Sequence, residues 1–179
     1  MSPWLMTLSR LILGLLSLAP MTGYELKKHF DATVNHFWSA DKAQIYRTLT
    51  TLVKDGLCIA ETVQQDGLPS KQVHRITEHG RAALLEWLET DPAPDAERNA
   101  FLGRVFFAAQ LDEKQLHKLF DRRREAALSY LASLQEQLDA SRAASPGEAL
   151  YFQLATLRNG IRHLKAELDW LQDIEKELV

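Results

Sequence analysis

A largely apolar stretch from about Met6 to Leu18, broken by Thr7, Ser9, Arg10 and Ser17, predicts a first helix, which Pro20 stops because proline cannot continue a helical hydrogen-bond ladder. Thr22-Gly-Tyr-Glu25 then offers a capping box, with the Thr22 side chain accepting from the backbone while Glu25 reaches back, so a second helix runs to about Asp31. After a loop holding Phe37 and Trp38, Ser39 is placed to cap a third helix. That helix ends at Asp55-Gly56, where glycine supplies the left-handed residue such endings favour. The period then changes. Leu57, Ile59 and Val63 alternate on one face, Asp66-Gly-Leu-Pro-Ser70 marks a turn, and Gln72 to Ile76 returns as the second strand of a hairpin. Thr77 caps a further helix through Gly80 toward Thr90.

At 100° per residue, Ile45, Leu49, Leu52 and Val53 of the third helix share a stripe and face a core. The opposite face carries Ala43, Gln44, Tyr46, Arg47, Thr50, Thr51 and Lys54 and is nearly free of carboxylates. Gln44 suits adenine edges, Arg47 guanine or phosphate, and the hydroxyls phosphate or thymine. On this helix alone an ordinary solvated face explains the residues as well. A lone hairpin is marginal in water and must pack on helices. Three helices and a projecting ribbon make a winged helix-turn-helix, an architecture that reads DNA. Lys71 at the loop end of the wing is suited to a phosphate, with Arg75 also cationic and Asp66 opposing them.

Thr90-Asp-Pro-Ala-Pro-Asp95 interrupts any helix and divides the chain into domains at 1–92 and 93–179. Beyond it, Asp112 caps a helix in which Ala127, Leu131, Leu134 and Leu138 step by fours and threes, and Ser145-Pro-Gly-Glu148 has the form of a new helix start. In the last helix Leu150, Leu154, Leu157, Ile161, Leu164, Leu168 and Leu171 repeat that stepping, a coiled-coil-like seam that must meet a partner. The partner is either the preceding helix of the same chain or a second copy. Arg122-Arg-Arg124 sits between Asp121 and Glu125 and fits a solvated face with local ion pairs.

The 179 residues suit one or two small globular domains. Their 21 Lys+Arg against 24 Asp+Glu rule out a protein that coats nucleic acid by bulk positive charge, without forbidding specific binding. The single cysteine, Cys58, cannot form an intrachain disulfide and begins an apolar strand where it packs rather than reacts, and the histidines fall in no zinc-ligand spacing. No metal or cofactor is expected. Leu11 to Ala19 falls far short of the ~18 apolar residues of a membrane span, so a cytoplasmic protein without membrane contact is expected. Motifs for nucleophilic, phosphate-binding or metalloprotease chemistry do not occur, and no enzymatic activity is expected.

Phe37-Trp-Ser-Ala-Asp-Lys-Ala-Gln-Ile-Tyr-Arg-Thr-Leu49, Asp55-Gly-Leu57, Gly67-Leu-Pro-Ser-Lys71 and Ile76-Thr-Glu-His-Gly-Arg-Ala-Ala83, preceded by Leu15-Leu-Ser-Leu-Ala-Pro-Met-Thr-Gly-Tyr-Glu-Leu26, resemble the PadR family of transcriptional regulators. The C-terminal part resembles the helical dimerisation domain of its longer members, related to virulence activators. The resemblance implies a mainly α protein: a winged helix-turn-helix DNA-binding domain followed by a C-terminal antiparallel α-helical dimerisation domain. It places Ser39, Lys42, Gln44, Tyr46, Arg47, Thr50 and Lys54 on the recognition helix and Lys71 on the wing as DNA contacts, and the Leu150 to Leu171 seam at a dimer interface. Family wings often carry a basic residue where Leu68 stands and an aromatic one where His74 stands, so a weaker wing anchor is expected.

The implied function is sequence-specific repression by a homodimer on a palindromic operator in double-stranded DNA. A small effector, often aromatic, releases it. Trp4, Phe106, Phe107, Tyr151, Phe152 and Trp170 are candidate pocket residues, although aromatics more often belong to a core. The alternative is a winged-helix adaptor that binds a partner protein and not DNA.

Overall fold

A computed structural model describes residues 3–65, 68–92 and 99–178. The chain divides into two compact units, Met1–Ala93 and Pro94–Val179.

In the first unit, α1 (Pro3–Leu18), α2 (Gly23–Thr33), α3 (Lys42–Lys54) and α4 (Glu78–Glu89) surround a three-stranded antiparallel sheet of order β1-β3-β2. Its strands are β1 (Met21–Thr22), β2 (Cys58–Gln65) and β3 (Leu68–Ile76). Leu8, Ile12, Leu13 and Leu16 of α1 are buried against Leu26 and Phe30 of α2 and Ile45, Leu49 and Leu52 of α3. The apolar first helix is therefore core. The two-residue β1 has no local signature in the sequence, because it exists only through its pairing of Met21 with His74 and Thr22 with Val73.

The helix-covered face of the hairpin is not the one that carries Ile59 and Val63. Cys58 and Ile76 pair and are buried, and Ala60 pairs with the buried His74, while Ile59 and Val63 are exposed. Strand alternation puts Cys58 and Ala60 on one side and Ile59 and Val63 on the other, and the small residues occupy the helix-covered side. Asp66 and Gly67, at the expected turn, lie outside the described residues, as do residues 93–98 of the expected domain break. The Thr77 side chain caps α4 by accepting from Gly80 N at 3.0 Å, and it donates to the Gly56 carbonyl at 2.7 Å.

In the second unit, Asn99 caps a short α5 (Ala100–Phe106), a 3-10 turn spans Ala108–Gln110, and the long α6 (Glu113–Asp139) and α7 (Ala149–Glu177) form an antiparallel hairpin. The Asp112 cap is present, reciprocated by Gln115. Ser145 does not cap α7. Its backbone N–H donates to Glu148 across a turn in which Gly147 has φ +97°, and the helix begins only at Ala149.

The leucine seam of α7 meets α6 of its own chain. Leu154, Leu157 and Ile161 bury with Leu134, with Leu131, Leu138, Leu150 and Leu164 packed beside them, and Leu171 buries completely against Phe120 and Phe101. Leu168 is half-buried. Periodicity left an intrachain and an interchain partner open, and the intrachain helical hairpin accounts for the seam.

Arg123 and Arg124 likewise find partners on α7. The Arg123 guanidinium donates to both oxygens of Glu167 at 2.8 Å, and Arg124 pairs with Glu175 as well as with the local Asp121. Phe106, Phe107 and Phe152 are exposed, against the expectation that such aromatics are core. Trp170 is half-buried beside Phe101, and the Trp4 side chain lies outside the described residues.

Candidate nucleic-acid interface

The third helix starts at Lys42 because Asp41, not Ser39, closes its first turn. Asp41 Oδ1 accepts from Gln44 N and Gln44 Oε1 accepts from Asp41 N, both at 2.7 Å. Both residues are of capping type, but only Asp41 has an amide side chain three residues ahead to complete a capping box. Ser39 is exposed and lies before the helix. Gln44 thus has its carbonyl oxygen committed to the cap, and its NH2 group is the part left for a partner.

The helix buries Ile45, Thr48, Leu49 and Leu52. Thr48 takes the place expected for Val53, which is exposed. Thr48 lies 60° from Ile45 on one side of the stripe and Val53 lies 80° away on the other. The Thr48 hydroxyl donates to the Gln44 carbonyl at 2.8 Å, so its burial leaves no polar group unpaired.

The remaining surface of α3 exposes Lys42, Ala43, Tyr46, Arg47, Thr50, Thr51 and Lys54. The helix contains three cations and no carboxylate between Lys42 and Lys54. Thr50 and Thr51 donate to the carbonyls of Tyr46 and Arg47 at 3.0 and 3.1 Å, which turns their oxygens into outward acceptors. At 100° per residue Arg47 and Lys54 lie near the middle of the outward arc, about 150° and 170° from the mean direction of Ile45 and Leu52.

Tyr46 is bound on two sides. The Lys42 ammonium lies 5.7 Å from its ring centroid. Its ring also lies so close to α2 that a Cβ on Gly23 would stand 2.9 Å from Cε1 and Cζ. A glycine at the start of α2 leaves room for the ring where it lies, and a larger residue there would displace the end of the Tyr46 side chain.

Tyr46, Thr50 and Lys71 come together around a cleft of about 690 Å³, with Tyr24, Gln72 and His74 also in its wall. Ser39, Lys42, Gln44, Arg47 and Lys54 are not part of this cleft. Sequence reasoning missed Tyr24, which is 69% exposed on the first turn of α2. Its signal is the Gly-Tyr-Glu-Leu segment, which reads as a helix start and as part of the family resemblance and gives Tyr24 no role of its own.

Hydrogen bonds from the Thr22 backbone and hydroxyl hold the Glu25 carboxyl below its ordinary range, with burial opposing and the Lys71 charge assisting. His74, only 8% exposed, has its pKa lowered by burial, a hydrogen bond with the Met21 backbone partly opposing, and its Nδ1 has no partner. On the outer wing Arg75 pairs with Glu61 at 3.9 Å, which leaves Lys71 as the wing cation without an ion pair among the described residues.

A family model described as the PadR-like transcriptional regulator family matches residues 12–86, and one for the C-terminal part of virulence activator alpha matches residues 97–179. A probable transcriptional regulator of Mycobacterium tuberculosis is 31% identical, over 97% of this chain and 98% of that protein. The chain belongs to the PadR-like family of transcriptional regulators.

The negative transcriptional regulator PadR of Bacillus subtilis is 29% identical over 91% of this chain and 92% of its own. Its crystal structure in complex with operator DNA has a TM-score of 0.86, covering 97% of this chain and 99% of that one at 25% identity. The same protein has also been solved with p-coumaric acid, with a TM-score of 0.75 and 25% identity over 97% of this chain and 95% of that one. The PadR-like homologues are regulators of transcription, not enzymes. Consistent with that, the cysteine of this PadR-like chain is buried, with its thiol pushed up to about 11 by desolvation. No helix among the described residues is long and apolar enough to cross a membrane.

Proposed function

We propose that this chain is a cytoplasmic homodimeric repressor that binds a palindromic operator and is released by a small effector. The observation that carries operator binding is the outer surface of α3, which exposes Arg47, Thr50, Thr51 and Lys54, contains no carboxylate and is flanked by Lys71 on the wing. One recognition helix reads too few base pairs for useful specificity, whereas two related by a two-fold axis read half-sites about one helical turn apart. The seam of α7 packs on α6 of its own chain, with Leu150, Leu164 and Leu168 only partly buried. The apolar residues that the helical unit leaves exposed, among them Leu102, Phe106, Leu128 and Phe152, are those we assign to self-association. Support for repression and for an effector comes from the Bacillus subtilis relative, named a negative regulator and solved with both operator DNA and p-coumaric acid.

The test is fluorescence anisotropy with DNA from upstream of the chain's own gene, together with sedimentation of the complex. Arg47→Ala is expected to weaken operator binding by about 1–3 kcal/mol, roughly 5- to 150-fold, with little change on unrelated DNA. A Lys71→Ala variant is expected to reduce the slope of affinity against salt instead. If Arg47→Ala binds the operator as tightly as the wild type, α3 is not the reading element, and the adaptor alternative gains. A monomer on a single half-site defeats the dimeric part.

A further inference from the structure

The helical unit holds a second cleft, of about 890 Å³, bounded by α5, the 3-10 turn and the first half of α6. Its charge is one-sided. Arg104, Lys118 and Arg122 line it and are exposed, none of the three has an ion pair among the described residues, and no lining residue is acidic. A fourth lining cation, Arg123, is engaged by both oxygens of Glu167. The same wall carries Phe107, which is 61% exposed, and two amide side chains, Gln110 and Gln115. The Gln115 oxygen accepts from Asp112 N, which leaves its NH2 group as a donor.

The number of free cations decides what the cleft suits. Lys118 and Arg122 stand four residues apart on one helix face and repel each other. A ligand with one negative charge neutralises one cation and leaves two. Relief of all three requires several charges gathered in one compact group, which describes a run of phosphoryl oxygens, and arginine's planar fork and lysine's point charge both bind phosphate. The exposed Phe107 face requires a flat ring to stack on it. Amides that donate and accept match a ring whose edge does the same, as the edge of a purine does. Inorganic polyphosphate leaves Phe107 and the amides unused, and a singly charged aromatic acid leaves most of the charge unanswered.

We propose that this cleft binds a purine nucleotide carrying at least two phosphoryl groups, its ring on Phe107 beside Gln110 and Gln115 and its phosphates on Arg104, Lys118 and Arg122. The site lies within residues 101–126 and rests neither on α3 reading DNA nor on release by an effector.

The test is isothermal titration calorimetry of the full chain without DNA, in buffer free of divalent cations that would neutralise the phosphates. Adenosine diphosphate is expected to bind saturably, one per chain. Adenosine, pyrophosphate and naphthoate each supply only part of the required chemistry, and each is expected to bind at least about tenfold more weakly. Lys118→Gln with Arg122→Gln, its fold checked by circular dichroism, is expected to weaken the diphosphate at least about tenfold and to change adenosine less than about twofold. Phe107→Ala is expected to weaken the diphosphate and adenosine but not pyrophosphate. Arg47→Ala is expected to leave nucleotide binding unchanged.

The proposal is overturned if adenosine, pyrophosphate or naphthoate binds as tightly as adenosine diphosphate, or if the rim pair leaves the diphosphate's affinity unchanged. It is also overturned if nucleotide binding disappears as the chain is concentrated into oligomers, because a second copy then fills the cleft. Loss of nucleotide binding in Arg47→Ala places the nucleotide on α3 and overturns it as well. Operator binding lost in Arg47→Ala with nucleotide binding intact leaves this proposal standing, so its failure and failure of the DNA proposal are distinguishable.

Discussion

Replacing Gly80 by alanine sets two effects of opposite sign against each other. Alanine is the better helix former by about 1 kcal/mol, so an unconstrained helical glycine gains stability on substitution. At Gly80, however, the added Cβ would stand 2.0 Å from the Leu57 carbonyl oxygen and 2.9 Å from Ile76 Cγ1. The first turn of α4 would have to retreat by more than about 1 Å to restore van der Waals contact. That same carbonyl accepts from Thr77 N at 3.1 Å, and the Thr77 hydroxyl donates to Gly56 O at 2.7 Å, so the retreat breaks both bonds. With roughly 1 kcal/mol for each bond and about 1–3 kcal/mol for overpacking, less the propensity gain, the net loss is about 2–4 kcal/mol. Urea denaturation should show this as a midpoint lowered by about 1–2 M for the first unit. Gly14→Ala in α1 is the control. Its Cβ meets nothing within 4 Å, and it is expected to gain up to about 1 kcal/mol. A Gly80→Ala midpoint at or above that of the wild type refutes the close approach of α4 to the Leu57 backbone.

Leu171→Ala should cost about 2–5 kcal/mol, because the side chain is fully buried on Phe120, whereas the exposed Leu178→Ala should stay within about 0.5 kcal/mol by the same denaturation assay. With its thiol at about 11, Cys58 in the folded chain should react with a maleimide at pH 8 on the order of a few hundredfold more slowly than an unfolded control, and labelling at the control rate refutes its burial. His74 has a folded pKa below its ordinary 6.5, so the unfolded chain binds the proton more readily. Its contribution to stability is complete above pH 6.5 and falls as pH drops through and below that value; denaturation midpoints across this range should be flatter in His74→Gln, and equal slopes would remove His74 as the cause.

What the sequence disclosed tracks how local each interaction is. The caps at Thr22, Thr77 and Asp112 were legible because a side chain and the backbone N–H it serves lie within three residues. The cap of α3 lies two residues beyond Ser39, at Asp41, because Asp41 and not Ser39 has an amide partner at the third helical position, Gln44. Strand β1 and the inward face of the hairpin were not legible, since both depend on which helices cover the sheet. The α7 seam shows the limit most plainly: a period of three and four says that a helix must be met, and it contains nothing about whose helix.

The candidate interface has the same division. That α3 lacks carboxylates is readable residue by residue, but the position of Tyr46 is not, because its ring lies in the space left by Gly23 of a different helix, 23 residues away in sequence. Two segments of the family resemblance, Gly23-Tyr-Glu-Leu26 and Gln44-Ile-Tyr46, therefore meet in one contact. Gly23 leaves room for the ring, and the ring borders a cleft whose wall also includes Tyr24 and Lys71. Among the α3 residues expected to contact DNA, five differ in what already engages them. Arg47, Thr50 and Lys54 face outward and are available to a base or phosphate, whereas Tyr46 and Gln44 are partly spent on holding the helix in place.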